Sequence, residues 1–153
     1  MQNAPKPYSE ILPPLVKLIA AARREVRQAF WTRNARLGLA PQQGWVLRVL
    51  ANEGPMSLHG LAQMVYMDDP TACRIVKALQ ERGYVQSSPD PCHGRRLVIT
   101  VSAAGLALVP ELNRIADGVS RDLEAGLSAG ELQALRTGLQ KVIANLAPGD
   151  PVE

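Results

Sequence analysis

The sequence predicts a mainly α-helical fold that carries one small β-hairpin. Six aromatic residues accompany a 46% hydrophobic content, which is typical of packed helices rather than of a β-sandwich. Within residues 57–105, two short segments of helical periodicity precede two runs rich in β-branched residues. Two helices followed by a hairpin form the plan of a winged helix-turn-helix, in which the hairpin is the wing.

The first of these helices is predicted to begin at Ser57. A serine hydroxyl in this position can accept a hydrogen bond from a free backbone N–H of the first helical turn. Apolar residues then recur at the spacing of a buried helix face. They are Leu58, Leu61, Ala62 and Val65.

The second helix has the clearest predicted ends. Asp69 is expected to cap it, Pro70 suits the first helical position, and Gly83 suits a left-handed residue after the last turn. A stripe of apolar residues predicts which face is buried. It consists of Ile75, Val76 and Leu79.

The opposite face of this second helix is polar. Thr71, Arg74 and Lys77 lie three positions apart, so they share one side of the helix. Arg74 can form a bidentate pair with guanine in a major groove, and Lys77 suits a phosphate. An ordinary solvated helix face is the alternative interpretation.

The predicted wing consists of strands over residues 84–88 and 96–101, joined by a loop that contains two prolines and a glycine. The loop carries His93, Arg95 and Arg96 at its tip. An arginine at such a tip suits a minor groove. A plain surface hairpin is the alternative.

Charge is distributed unevenly along the chain. Residues 1–39 contain seven Lys and Arg against two Asp and Glu, whereas residues 40–105 contain six against five. DNA affinity would therefore depend on a few placed arginines, doubled in a dimer, rather than on bulk charge. The same low charge would also suit a winged-helix module that binds protein.

The segments on either side of the motif are predicted to be long amphipathic helices, over residues 8–37, 102–127 and 129–147. Ser128 and Glu131 form a capping box before the last one. Their apolar stripes exceed what one small core can bury, which favours a homodimer over an intramolecular bundle. We therefore assign residues 1–39 and 106–147 to dimerisation, 40–105 to DNA binding, and 148–153 to a tail.

The remaining chemistry is sparse. His59 and His93 belong to no spaced ligand cluster, and the two cysteines form neither a zinc motif nor a disulfide framework, so we expect no metal and no cofactor. Cys73 near a helix N-terminus could sense oxidants, although a buried apolar role is the alternative.

Two further features bear on ligands and location. Trp31 and Trp45 could line a small-ligand pocket, with core packing as the alternative. No apolar run reaches the roughly 18 residues of a membrane span and no secretory segment is evident, so we expect a cytoplasmic protein without a membrane partner.

Residues 38–105 resemble the multiple-antibiotic-resistance regulator (MarR) family. The resemblance rests on an ordered set of short motifs rather than on any one of them. They are Gly38-Leu39 through Pro41-Gln42, Leu61-Ala62, Pro70-Thr71 leading to Arg74, Glu81-Arg82-Gly83-Tyr84-Val85, and Ser102-Ala103-Ala104-Gly105. Two positions depart from the family pattern: His93 stands where the family often has Asp in an Asp-x-Arg signature, and Cys73 where it tends to have Thr or Ser.

The resemblance implies a homodimeric transcriptional repressor, and not an enzyme. It implies binding to a pseudo-palindromic operator and release by a small aromatic or anionic effector. The alternatives are a thiol-redox-sensing regulator that uses Cys73 or Cys92, and a protein-interaction module. The expected DNA-binding residues are Ser57, Pro70, Thr71, Cys73, Arg74, Lys77, His93, Arg95 and Arg96.

Overall fold

The computed structural model describes residues 14–89 and 97–147, which contain six α-helices and three short strands. The elements in chain order are α1 (Leu15–Asn34), a 3₁₀ turn (Ala35–Leu37), α2 (Pro41–Glu53), β1 (Met56–Ser57), α3 (Leu58–Met64), α4 (Asp69–Glu81), β2 (Val85–Pro89), β3 (Leu97–Val101), α5 (Ala103–Glu124) and α6 (Ala129–Leu146). None of the described helices is long and apolar enough to cross a membrane.

The sheet has three antiparallel strands in the order β1-β3-β2. Strands β2 and β3 pair from Val85 opposite Val101 to Pro89 opposite Leu97, which confirms the predicted pair of wing strands. The prediction of a two-stranded hairpin was incomplete, because Met56 also pairs with Ile99. Strand β1 has only two residues, too few for an alternating pattern to show in the sequence.

The hydrophobic core lies where α2, α3, α4, the sheet and α5 meet. Its largest fully buried side chains come from α2, α3 and α4 and the residue that ends α3. They are Val46, Leu47, Leu50, Leu61, Val65 and Leu79. Each such side chain contributes about 1.5–3 kcal/mol by leaving water, so burial in this core fixes how α3 and α4 are oriented.

Contacts divide the chain into two compact units, one up to Val119 and one from Ser120 onward. The boundary falls inside α5, near its C-terminal end. The second unit contains the predicted capping box, in which Ser128 accepts from the Glu131 N–H and the Glu131 carboxylate accepts from the Ser128 N–H. An ion pair of 2.8 Å between Arg136 and Glu124 joins α6 to the end of α5.

Several predicted helix ends need correction. The residue that caps α4 is Asp68 rather than Asp69, which is instead the first helical residue. Helix α1 ends at Asn34 and continues only as a 3₁₀ turn, which stops at the left-handed Gly38. Helix α5 ends at Glu124, before the left-handed Gly126. The cap at Ser57, which accepts from the Gly60 N–H, is confirmed, as is the left-handed Gly83 after α4.

Gly105 permits the close approach of α5 to the loop that follows α4. A Cβ atom at this position would lie 2.3 Å from the Tyr84 carbonyl oxygen and 2.8 Å from a Val101 methyl group. Because the nearest obstacle is backbone, it cannot rotate away. The glycine in the Ser102–Gly105 motif is therefore required by packing.

We expect Gly105→Ala to lower the free energy of unfolding by about 1–3 kcal/mol, because the added methyl group displaces α5 from the Tyr84 carbonyl. Denaturant unfolding followed by circular dichroism measures this change. Gly118→Ala, in the same helix, is the matched control, since an added Cβ there meets no described atom within 4 Å. It should leave stability unchanged or raise it by up to about 1 kcal/mol. Equal effects of the two substitutions would contradict the packing argument.

Candidate nucleic-acid interface

Helix α4 has one buried face and one exposed face. Ala72, Val76 and Leu79 are buried, whereas Arg74 and Lys77 are exposed. Because the apolar stripe is held in the core, the polar face is turned outward. The predicted polar row is thus assembled on one accessible side of a helix, with Thr71 partly buried at its start.

The cations of this face are available for an external partner. Within residues 14–89 and 97–147, the Lys77 side chain forms no hydrogen bond or ion pair, and Arg74 interacts with Asp68 only through their charges. Free guanidinium and ammonium groups on an exposed helix are the donors that guanine and phosphate accept.

Asp68 caps the N-terminal end of α4. Its carboxylate accepts a hydrogen bond of 2.7 Å from the Thr71 backbone N–H. Hydrogen bonds from the Thr71 side chain and backbone, together with the positive charge of Arg74, hold the pKa of Asp68 below its ordinary value of 3.8. The cap is therefore ionised at neutral pH and favours the positive end of the helix dipole.

A second contact joins α3 to the first turn of α4. His59 Nδ1 lies 3.1 Å from both carboxylate oxygens of Asp69, and its Nε2 lies 3.1 Å from the Gln63 side-chain amide. This contact was not predicted from the sequence. Its one available signal was that His59 and Gln63 are four residues apart and so lie on the same side of α3.

A shallow cleft separates the start of α2 from α4. It is lined by residues of both helices. They are Ala40, Gln42, Gln43, Thr71, Arg74, Ile75 and Ala78. Gln43 closes the first turn of α2 by accepting from the Ala40 N–H at 2.9 Å. Because Gln42 lines the same cleft as Thr71 and Arg74, it lies beside the predicted DNA-reading face. Helical spacing within α4 could not predict this position.

The other expected DNA-binding residues are placed differently. Ser57 is partly buried, and its hydroxyl is used as a helix cap. Pro70 is exposed in the first turn of α4, and Cys73 is partly buried with a free thiol. The wing-tip residues lie outside the described residues. They are Cys92, His93, Arg95 and Arg96.

No group of three potential metal ligands occurs among the residues that the structure describes. A thiol-sensing role for Cys73 or Cys92 stays a prediction.

The two tryptophans are not core residues of the single chain. Trp31 is 52% exposed and Trp45 is 41% exposed, so core packing, the alternative given above, is wrong for both. Trp45 instead pairs with Tyr66, with 6.4 Å between the ring centroids. Tyr66 has a left-handed backbone with φ of 52°, which is uncommon for a residue with a side chain. A ligand-binding role for the tryptophans stays a prediction.

The packing of α2, α3 and α4, the wing strands and the exposed cationic face of α4 define a winged helix-turn-helix protein of the DNA-binding class. The sequence model of the MarR family matches residues 37–96. The helix-turn-helix transcriptional regulator SarZ of Staphylococcus haemolyticus is 31% identical over 100 residues, which are 65% of this chain and 67% of SarZ. The chain belongs to the MarR family and is a DNA-binding transcriptional regulator, as the sequence motifs predicted.

Two solved structures have similar folds. A crystal structure described as a "probable transcriptional regulator" from Pseudomonas aeruginosa has a TM-score of 0.75 and 31% identity, and the match covers 86% of this chain and 98% of that one. BpsR of Bordetella bronchiseptica, whose DNA binding is regulated by 6-hydroxynicotinic acid, has a TM-score of 0.79 and 25% identity. That match covers 90% of this chain and 96% of BpsR.

We expect Asp68→Asn to lower thermal stability at neutral pH, because the amide keeps a capping oxygen but loses the charge. A carboxyl with a lowered folded-state pKa stabilises the fold above its unfolded-state pKa, and this contribution is lost as the pH falls through the folded-state value. The stability difference between wild type and variant should therefore shrink below about pH 4. Thermal melts between neutral and acid pH measure it.

Asp117→Asn is the matched control for this experiment, since Asp117 is exposed within α5 and no described backbone N–H donates to its side chain. It removes the same charge without removing a helix cap, so it should leave the melting temperature at neutral pH nearly unchanged. An equal loss of stability in the two variants would contradict the capping role of Asp68.

Proposed function

We propose that this regulator is a cytoplasmic homodimeric repressor whose two α4 helices read half-sites of a pseudo-palindromic operator. The observation that carries the proposal is the row of Thr71, Arg74 and Lys77 opposite the buried stripe of α4, in which both cations are exposed. Arg74 is the candidate for base recognition and Lys77 for a phosphate. The wing arginines Arg95 and Arg96 are the candidates for the adjacent minor groove.

Local electrostatics are compatible with a DNA contact at the N-terminal end of α4. Asp68 and Asp69 would repel phosphate if they were unpaired. However, Asp68 is engaged by Thr71 and by the charge of Arg74, and Asp69 by His59. Both carboxylates thus have hydrogen-bond partners among the described residues, whereas the exposed Arg74 and Lys77 side chains form no hydrogen bond there.

The exposed apolar side chains of the first and last described helices support a dimer. Helix α6 has no buried residue over its 18 positions, and α1 has one, Asn34. Large apolar residues on both helices are 39–79% exposed. They are Leu15, Val16, Leu18 and Trp31 on α1, and Leu135, Leu139, Ile143 and Leu146 on α6. A second copy of the chain would remove these apolar side chains from water.

Release of the operator by a small aromatic or anionic effector is part of the proposal. BpsR supports this class of effector, since 6-hydroxynicotinic acid has both an aromatic ring and a carboxylate. An effector needs only to prefer a dimer in which the two α4 helices are wrongly spaced for successive major grooves. Trp31 and Trp45 are the candidate ligand-binding residues on account of their exposed rings.

We expect Arg74→Ala to weaken binding to the operator by about 1–3 kcal/mol and to relax the preference at one base position per half-site. The cause is the loss of a bidentate pair to a base edge. Fluorescence anisotropy with a duplex selected by the wild-type protein, and with its single-base variants, measures both effects.

Two further substitutions make this test specific. Arg74→Lys keeps the charge but loses the planar guanidinium with its paired N–H donors, so it should relax the base preference as Arg74→Ala does. Lys77→Ala should weaken all duplexes alike and reduce the salt slope by about one. Unchanged affinity and preference in Arg74→Ala would contradict the proposed DNA-reading face. A wild-type protein that binds no duplex at any salt concentration would instead favour a protein-interaction module.

We expect Leu139→Asp to convert the dimer to a monomer and to abolish operator binding, because it places a charge in the apolar stripe of α6. An obligate interface buries on the order of 2,000 Å² or more, so the thermal stability of the wild type should depend on protein concentration, and that of the variant should be lower. Light scattering and anisotropy measure these effects. Gln140→Asp is the matched control, since it adds the same charge at the next exposed position. A wild-type monomer that binds the selected duplex with full affinity would contradict the dimer.

A further inference from the structure

The C-terminal turn of α4 is held by hydrogen bonds from two sides. On one side, Arg82 Nη1 donates to the carbonyl oxygen of Gly38 at 2.7 Å. On the other side, the Ser102 hydroxyl donates to the carbonyl oxygen of Gly83 at 2.6 Å, and the Ser102 N–H donates to that of Tyr84 at 2.9 Å. Gly38 ends the 3₁₀ turn that follows α1, and Ser102 immediately precedes α5.

The Arg82 guanidinium is fixed by two contacts rather than one. Besides the Gly38 carbonyl, it lies over the Tyr84 ring, with 5.0 Å from its central carbon to the ring centroid. A planar guanidinium can donate in its plane while it stacks on an aromatic face, which an ammonium group cannot do. The residue at its acceptor is Gly38, with a left-handed φ of 62°. An added Cβ there would lie 3.4 Å from Arg82 Nη2.

The bond from Arg82 links the end of the proposed DNA-reading helix to Gly38, which lies 44 residues earlier in the chain and ends the 3₁₀ turn after α1. In a dimer whose interface includes α1, the distance between the two α4 helices depends on how each α4 is held relative to α1. Operators with half-sites one turn apart fix this distance at about 34–36 Å. A link between α4 and the end of α1 is therefore placed where it can set the spacing of half-sites.

We propose that Arg82 is a positioning residue that couples α4 to the end of α1 and so sets which half-site spacing the dimer accepts. This inference rests on the proposed dimeric operator binding. It assigns Arg82 no direct contact with DNA. The alternative is that the exposed guanidinium contacts a phosphate, and the experiment below distinguishes the two.

The test uses the full-length protein and a duplex selected by the wild type from a random pool. Versions of this duplex with one base pair inserted or deleted at its centre change the spacing while keeping both half-sites. We expect Arg82→Ala to weaken binding at the selected spacing about threefold to tenfold, the effect of one hydrogen bond. The ratio of affinities between the selected and the altered spacings should shrink by a similar factor. The dependence of affinity on salt concentration should not change.

Two variants serve as controls. Arg82→Lys keeps the charge and one donor, so its spacing preference should lie between those of wild type and Arg82→Ala. Arg24→Ala removes one exposed positive charge that is paired within α1 to Glu25, and it should leave the spacing preference unchanged. Thermal melts of each variant report whether the fold is retained.

Three results would overturn the inference. A uniform loss of affinity at every spacing, with a salt slope lower by about one, would identify a phosphate contact. A lower melting temperature with an unchanged spacing preference would identify a contact that serves only the fold. If the wild type selected duplexes with a single half-site, the proposed dimeric binding would fail together with the inference.

Discussion

The buried stripe of α4 is the constraint on which the rest of the structure depends. Ala72, Val76 and Leu79 are held among the core residues of α2 and α3, so the helix cannot rotate about its axis without exposing them. Because Arg74 and Lys77 lie on the opposite side, they are turned outward by the same burial. The burial of this one stripe therefore both stabilises the fold and orients the proposed DNA-binding face toward solvent.

The ends of α4 are fixed separately from its middle. Asp68 and the pair of His59 with Asp69 hold the N-terminal end, which is the end proposed to enter the major groove. The C-terminal turn is held by hydrogen bonds from Arg82 and from Ser102. A helix that is packed along its length and held at both ends can contact DNA without changing its orientation. Its position can then be set by the elements to which it is hydrogen-bonded.

The sequence predicted the fold because its elements are marked by local signals. The helix caps at Ser57 and Ser128, the glycine after α4 and the apolar periodicity of each helix were all recognisable within one or two turns of chain. The errors have the same origin. Adjacent aspartates at 68 and 69 are both able to cap a helix, and a two-residue strand has no period to detect.

The contacts that complete the site could not be predicted in this way, because they join residues far apart in the sequence. The cleft that Gln42 and Arg74 both line and the bond from Arg82 to Gly38 follow from tertiary packing. The exposure of Trp31 and Trp45 likewise depends on which neighbours the fold supplies. Local patterns identify a winged helix-turn-helix, whereas its specificity depends on how its helices are held together.

The most direct measurement of the central claim is a hydroxyl-radical footprint of the full-length protein on a duplex that it selects, with the mass of the complex determined by sedimentation. Two copies that present α4 to successive major grooves should protect two patches on one face of the duplex, about 10–10.5 base pairs apart. The complex should contain two chains per duplex. A single protected patch with one chain bound would contradict the account.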